Sequence, residues 1–427
     1  MYYIWPTNDE FKFMMTRTFL FTPIAFLAIL GINGLFPSQT TPSADVVIQW
    51  NLVAQKTAKG AKQNSNLASH TLAIEAIAVY DAVNSIKHFG KPYHYNADPG
   101  VPASAVAAAA QAAHDVLVSL FPAQKASLDS VLTVSLQQAT DGPVDAGQKV
   151  GAGAAADIIA LRLNDGSAPL TTYAGPATPT TGQYRATPAK FAPGIDVEWG
   201  NVKPFILSSS KQFLPQPPPA IGSDDYKKAL AEVASLGDTK STKRTDDQTH
   251  IAQFYKQDAE LTVNEGLREL AQQHQSSLED AALIFALTDI AEADARIEVW
   301  GGKYGYLFWR PVTALNAEAD GSVKDYTKWT PLITTPAHPS YPSGHSATVT
   351  AGYEILKKFY GDTNTLTLHT TTDGEPPRTV TSLSTIEWEN GYSRIYGGIH
   401  FPFENSTAQD IGRKVAAYAL QKGPAKL

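Results

Sequence analysis

From residue 45 the apolar positions fall mostly at three- and four-residue intervals, the spacing of helices with one buried face. In Ser69 to Ile86 (SHTLAIEAIAVYDAVNSI), Leu72, Ala76, Val79, Tyr80 and Val83 keep that spacing, and Gly90 and Pro92 stop the run. Ala103 to Leu120 is alanine-rich and ends at Pro122. Ala123 to Ala139 precedes Asp141-Gly142, and Asp145 to Leu163 runs into Asn164-Asp165-Gly166. Alanine at this density predicts closely packed helices, and no alternating run is convincing enough to predict a sheet.

Residues 166–223 break the pattern. They are rich in Pro, Thr, Gly and Ser, including GPATPTT and PQPPPA, yet carry Tyr184, Phe191, Trp199 and Phe205. That many aromatic residues predicts an ordered wrapping segment rather than a loose tether. Helical spacing resumes over Asp224 to Leu236, Asp246 to Phe254, Asn264 to Gln273 and Leu278 to Trp309, with later runs at Ser346 to Tyr360 and Ser406 to Leu420. The expected architecture is all-α. Helical bundles occupy 45–165 and 224–427, joined by a long irregular Pro/Thr-rich crossover at 166–223.

The first 44 residues differ in kind. Phe19 to Phe36 is almost wholly apolar and follows Arg17, as in a signal peptide beginning at Met14 or Met15. Its length also allows an N-terminal membrane anchor, and a buried core helix is the third reading. The expectation is export, to the periplasm or as a secreted protein, with membrane contact only if the segment is retained. All three methionines lie in this leader, and cysteine is absent. A mature chain without sulfur lacks its most easily oxidised side chains, which fits release of a strong oxidant; compositional drift is the alternative. The net charge of -7 argues against a nucleic-acid partner.

Against that acidic background, three basic clusters in the last third stand out. They are Lys303-x6-Arg310-Pro311 in KYGYLFWRP, Pro342-Ser343-Gly344-His345 in HPSYPSGHS, and Ser393-Arg394-x5-His400 in SRIYGGIH. No carboxylate or Cys/His cluster for a divalent cation accompanies them. Seven residues apart, Lys303 and Arg310 are expected on nearly one helix face, with Arg310 where Pro311 ends or kinks the helix. Ser343, Gly344 and His345 fall at a helix N-terminus, where free N–H groups favour an anion. Gly397-Gly398 are expected to break the chain so that a loop Arg394 meets His400 entering the next helix. Together these groups suit a tetrahedral or trigonal-bipyramidal oxyanion, phosphate or vanadate.

In this order and spacing the clusters resemble the signature of the vanadium-dependent haloperoxidase and type 2 phosphatidic acid phosphatase superfamily. The wider resemblance, from Val47 to Ala417, is to exported bacterial haloperoxidase-like proteins, and includes AVYDAVNSI and ALTDIAEADARIEVWGGKYGYLFWRPVTAL. It implies a vanadate cofactor with His400 as the vanadium ligand. Lys303, Arg310, Arg394, Ser343 and the Gly344 N–H would hydrogen-bond its oxygens. His345 would be the acid/base group, and Lys303 would also polarise bound peroxide. Hydrogen peroxide and halide would be the substrates, giving hypohalous acid, with a small organic acceptor as a further partner. His338 and Trp300 match the family's halide region, and His338 is the residue type of bromoperoxidases, which tilts the expectation to bromide or iodide. Glu404 departs from the family's aspartate, which in the phosphatases orients the histidine nucleophile. Asp294 is a candidate partner for Arg394.

Two other functions share these residues. An acid phosphatase would use His400 as the nucleophile, through a phosphohistidine, and His345 to protonate the leaving oxygen. A non-catalytic phosphate scavenger would need the cations but not His345.

Overall fold

The computed structural model describes residues 44–427, so the predicted leader lies outside the described residues. Five helices come first: α1 (Asp45–Gly60), α2 (Ser65–Lys87), α3 (Ala105–Leu120), α4 (Lys125–Gln138) and α5 (Val144–Arg162). After the crossover follow α6 (Asp224–Leu236), α7 (Asp246–Phe254), α8 (Ala259–Gln273), α9 (Leu278–Tyr306), α10 (Pro311–Asn316), α11 (Gly344–Tyr360), α12 (Leu383–Tyr396) and α13 (Pro402–Lys422). The described part of the chain is one compact unit. Its strands are three short antiparallel ribbons, pairing Gly90–Lys91 with Ala425–Lys426, Thr172–Tyr173 with Gly194–Ile195, and Leu366–Leu368 with Arg378–Val380. Among the described residues no helix is long and apolar enough to cross a membrane.

Helix α9 is the axis of the fold. It is buried almost all round, from Leu278 to Lys303, because α2, α11 and α13 pack on it from different sides. The alanine-rich face of α3 (Ala105, Ala107 to Ala110, Ala112 and Ala113) is fully covered by α2 and α5. Side chains this small let helix axes approach closely, as the composition predicts.

The crossover is tied to α9 by buried carboxylates. Asp294 accepts the backbone N–H groups of Phe205 (2.7 Å), Ile206 (2.9 Å) and Leu207 (2.9 Å), and Glu298, one turn on, accepts that of Phe213 (3.0 Å). Asp294 is therefore not the partner of Arg394. A segment poor in its own secondary structure must find acceptors elsewhere, and α9 supplies them. Tyr184, Trp199 and Phe205 are buried, whereas Phe191 is exposed.

Several boundaries differ from expectation. Helix α9 ends at Tyr306, where Leu307 takes the left-handed conformation (φ 49°) and donates its N–H to the Lys303 carbonyl. Arg310 is extended (φ -84°, ψ 155°) as the residue capping α10. Lys303 and Arg310 thus do not share a helix face; the chain turns between them. Arg394 is not a loop residue but lies in the last turn of α12. Helix α11 begins at Gly344 rather than Ser346, α8 at Ala259 rather than Asn264, and α13 at Pro402 rather than Ser406.

Candidate active site

Helices α9 to α13 deliver the three basic clusters to one place. Lys303 comes from the last turns of α9, Arg310 from the start of α10, and Ser343-Gly344-His345 from the start of α11. Arg394 comes from the end of α12, and His400 from the turn before α13. Gly398 makes that turn with φ 76°, a conformation glycine adopts at no steric cost.

Three cations are buried here: Lys303 and Arg310 are fully covered and Arg394 is 2% exposed. Burial lowers all three pKa values. Arg310 falls to about 10, with Glu404 opposing the shift, and Arg394 falls to about 9, with Arg310 adding to it. Lys303 drops well below the usual lysine range, first by desolvation and then by repulsion from Arg310. The carboxylates that offset these charges are few, Glu404 foremost. Uncompensated buried charge is costly, so the site is built to receive an anion.

His400 is held in one tautomer from both sides. Its Nδ1 lies 2.6 Å from Glu404 Oε2, and its Nε2 lies 3.1 Å from an Nη1 of Arg310. A guanidinium can only donate, so Nε2 carries the lone pair and the proton sits on Nδ1. Desolvation, then Arg310 and Lys303, push the ring's pKa well below the ordinary histidine value. The result is a neutral imidazole whose Nε2 lone pair, once Arg310 Nη1 swings off it, is suited to ligate a metal or attack phosphorus. The longer carboxylate of Glu404 does reach, and Oε2 also accepts Ser340 Oγ (2.7 Å) and the Phe401 N–H (3.0 Å). Burial raises Glu404 to about 7.

Arg310 is fixed by four contacts. Nε donates to the His338 carbonyl (3.0 Å), Nη1 to the Ile399 carbonyl (2.7 Å) and to His400, and Nη2 to His338 Nδ1 (3.0 Å). Arg394 donates from Nε to Ser393 Oγ (2.9 Å) and from Nη2 to the Tyr255 carbonyl. Lys303 is more fully engaged than the sequence suggests. Its ammonium donates to the carbonyls of Pro339 (3.0 Å), Ser340 (2.9 Å) and Pro342 (2.5 Å), which take its three N–H directions. An incoming oxyanion must displace one of them to be bonded by Lys303.

At the start of α11, Ser343 Oγ accepts from Ser346 Oγ (2.9 Å), leaving its own proton to donate. Gly344 is close-packed: a Cβ there would stand 3.1 Å from Cζ3 of Trp300 and 3.8 Å from Cε of Lys303. Trp300 in turn lies against His338, ring centroids 5.0 Å apart. His345 Nε2 lies 3.0 Å from the Gln257 carbonyl, and burial followed by Arg394 and Arg296 lowers its pKa. A cavity of about 340 Å³ opens on Trp300, His338, Gly344, His345 and Arg394, and its far wall carries Asn66, Asp196, Lys256, Asp258 and Arg296.

Sequence reasoning missed two kinds of participant. The backbone carbonyls of Tyr255, Gln257, Pro339, Ser340, Pro342 and Ile399 orient the cage, and no side-chain pattern announces a carbonyl. Arg296, bonded to Glu260 Oε2 (3.2 Å) and Asn66 Oδ1 (3.1 Å), is 2% exposed, seven residues before Lys303 on α9. Its spacing from Lys303 was the available signal.

The fold and site define an all-helical protein with a buried, cation-lined oxyanion site closed by a neutral histidine. Residues 283–425 match the family described as the VCPO second helical-bundle domain, a span that includes every residue of the three basic clusters. The match covers about a third of the chain, and the whole fold is similar to that of solved bacterial vanadium haloperoxidases. The solved structure titled the first bacterial vanadium-dependent iodoperoxidase superposes with a TM-score of 0.78 at 22% identity, over 90% of this chain and 97% of that one. A holo-type bacterial vanadium-dependent chloroperoxidase superposes with a TM-score of 0.67 at 16% identity, over 83% of this chain and 91% of the other. In sequence the chain is 25% identical over 228 residues to vanadium chloroperoxidase of Curvularia inaequalis, covering 46% of this chain and 37% of that protein's length.

Proposed function

We propose that this protein is a vanadate-dependent haloperoxidase, oxidising halide with hydrogen peroxide to hypohalous acid. The observation that carries the reading is His400, whose Nε2 lone pair is fixed by Glu404 on one side and Arg310 on the other. Vanadate fits the residues present. A multiply charged oxyanion offsets the buried Lys303, Arg310 and Arg394, and its oxygens match the donors of Ser343, Gly344 and the two guanidinia. His400 would be its one protein ligand. The narrow fit of Gly344 against Trp300 lets the α11 N-terminus approach the anion closely.

When bound, vanadate supplies the Lewis acidity that activates peroxide without a change in oxidation state. The protein's part is electrostatic and protonic. Arg310 and Arg394, each anchored by a carbonyl, would hold negative charge in place, Arg310 giving up only its bond to His400 Nε2. Neutral His345, whose Nε2 faces the Gln257 carbonyl, would accept the proton that peroxide gives up and donate it to a hydroxide, which would leave as water. Lys303, held by the carbonyls of Pro339, Ser340 and Pro342, would turn one N–H to the oxyanion and polarise it.

Bromide or iodide is the favoured halide. His338, bonded by Arg310 Nη2 and tilted against the Trp300 ring, supports this, as does similarity in fold to a bacterial vanadium-dependent iodoperoxidase. The relatives lend no support to acid-phosphatase activity. The halide assignment is tested by comparing peroxide-dependent turnover of chloride, bromide and iodide after reconstitution with orthovanadate. A chloride kcat/KM equal to or above that of bromide would overturn it. Export from the cytoplasm, with or without a retained anchor, remains part of the proposal, and is tested by N-terminal sequencing of the native protein.

A further inference from the structure

The four residues between α7 and α8, Tyr255-Lys256-Gln257-Asp258, lie outside the region matched by the domain family, yet touch two groups of the oxyanion site. The Tyr255 carbonyl accepts from Arg394, and the Gln257 carbonyl lies 3.0 Å from His345 Nε2. A carbonyl can only accept. Nε2 must therefore carry the proton, leaving Nδ1 as the nitrogen that takes one up.

The carbonyl itself is held by the side chain of its own residue. Gln257 is 8% exposed, and its amide crosslinks two elements. Nε2 donates to Thr262 Oγ1 (3.1 Å) on α8 and to the His369 carbonyl (3.2 Å), while Oε1 accepts the Thr371 N–H (2.8 Å). The flanks are pinned too: Tyr255 donates its hydroxyl to Glu389 Oε2 (2.9 Å), and Asp258 Oδ1 accepts Ser65 Oγ (2.5 Å). A loop with so many side-chain ties has little freedom to rotate a peptide plane.

We propose that Gln257 is a positioning residue for His345, its amide locking the carbonyl that decides which ring nitrogen holds the proton. The proposal rests on His345 being the acid/base group of the oxyanion site. It explains why a fully bonded glutamine sits in a short connection one residue from the cavity wall. The charged groups facing His345 are Arg296 and Lys303 from α9, Arg394 from α12, Lys256 and Asp258 from the loop, and Asp196 from the crossover. The cations among them bias the ring toward neutrality but do not choose between its two neutral tautomers. The carbonyl makes that choice.

The test uses metal-free full chain carrying 15N-histidine, with the His345 signals assigned by their loss in His345→Ala. The wild type is expected to show the Nε2–H tautomer alone. Gln257→Met, which removes all three amide bonds, is expected to show mixed tautomers. After reconstitution with orthovanadate its kcat should fall roughly 10-fold with an altered pH profile. Its affinity for inorganic phosphate, a readout independent of turnover, should stay within about twofold. Thr262→Val, which removes one partner of the amide and lies away from the cavity, should shift tautomer and kcat in the same direction by less; it keeps the test open should Gln257→Met misfold. A folded variant with lower Tm but unchanged tautomer and kcat–pH profile would overturn the proposal. Because the tautomer is read without vanadate, a wild type lacking haloperoxidase turnover would defeat the functional reading while leaving this test intact.

Discussion

Glu404 Oε2 accepts the Nδ1–H of His400 across 2.6 Å, one helical turn away and fully buried. This contact fixes the His400 proton on Nδ1 and leaves Nε2, which accepts from Arg310, as the only ring nitrogen with a lone pair to offer. Replacing Glu404 by alanine removes the acceptor for His400 Nδ1, Ser340 Oγ and the Phe401 N–H together. Loss of such an orienting partner typically costs about 10–100-fold in ligand affinity. We expect Glu404→Ala to weaken vanadate binding by that factor in equilibrium titrations. Glu404→Gln, which keeps an oxygen acceptor, should retain most of the affinity. Equal losses in the two variants would show that charge, not orientation, is what matters.

Arg310→Lys tests the guanidinium geometry. Arg310 makes four contacts in different directions, and an ammonium cannot span them. Orphaning buried acceptors costs about 1–3 kcal/mol, so the variant should lose that much stability in denaturant unfolding. Phosphate and vanadate binding should weaken in parallel.

Gly344→Ala places a methyl 3.1 Å from the Trp300 ring, closer than ordinary van der Waals contact. Overpacking of this kind typically costs about 1–3 kcal/mol, and here it should appear mainly as weaker oxyanion binding, because the α11 N-terminus is pushed off its seat. Gly305→Ala is the control. A Cβ at Gly305, inside α9, meets nothing within 4 Å, and removing a helical glycine should be neutral or stabilising by up to about 1 kcal/mol.

Much of the site was legible in the sequence because its donors are side chains at fixed separations: a lysine, two arginines, a serine and three histidines in three short clusters. The helices were legible from spacing, but their ends were less so. Leu307 adopts the left-handed turn that ends α9 without being one of the residues that usually mark such a turn, so Arg310 was expected on the face of Lys303. Asp294, read as a partner for Arg394, proved to be the acceptor for the crossover backbone. A carboxylate's partner cannot be read from sequence when that partner is a peptide N–H. The same reason hid the carbonyls of Tyr255 and Gln257.

His114 offers a pH test away from the site. Its Nδ1 lies 2.7 Å from Asp115 and its Nε2 2.9 Å from Asp129, so both nitrogens act as donors and the ring is held as the cation. Burial lowers its pKa, but the bonds to Asp115 and Asp129 outweigh burial and leave it raised above 6.5. A histidine raised in the folded state stabilises fully below its unfolded value, and that contribution disappears as pH climbs through the folded one. The Tm difference between wild type and His114→Gln should therefore be largest near pH 5.5 and shrink toward pH 9, a window set on either side of the ordinary histidine value at about 6.5. A difference independent of pH would show that His114 acts only by packing.

The central claim is that buried cations and a lone-pair-bearing His400 form a vanadate site that drives halide oxidation. The most direct measurement is bromination of a dimedone-type probe by metal-free protein with hydrogen peroxide and bromide, before and after adding orthovanadate. The account predicts turnover that appears only with vanadate, is suppressed by excess phosphate, and is absent in His400→Ala. No turnover with any halide, in protein shown to be folded, would contradict it.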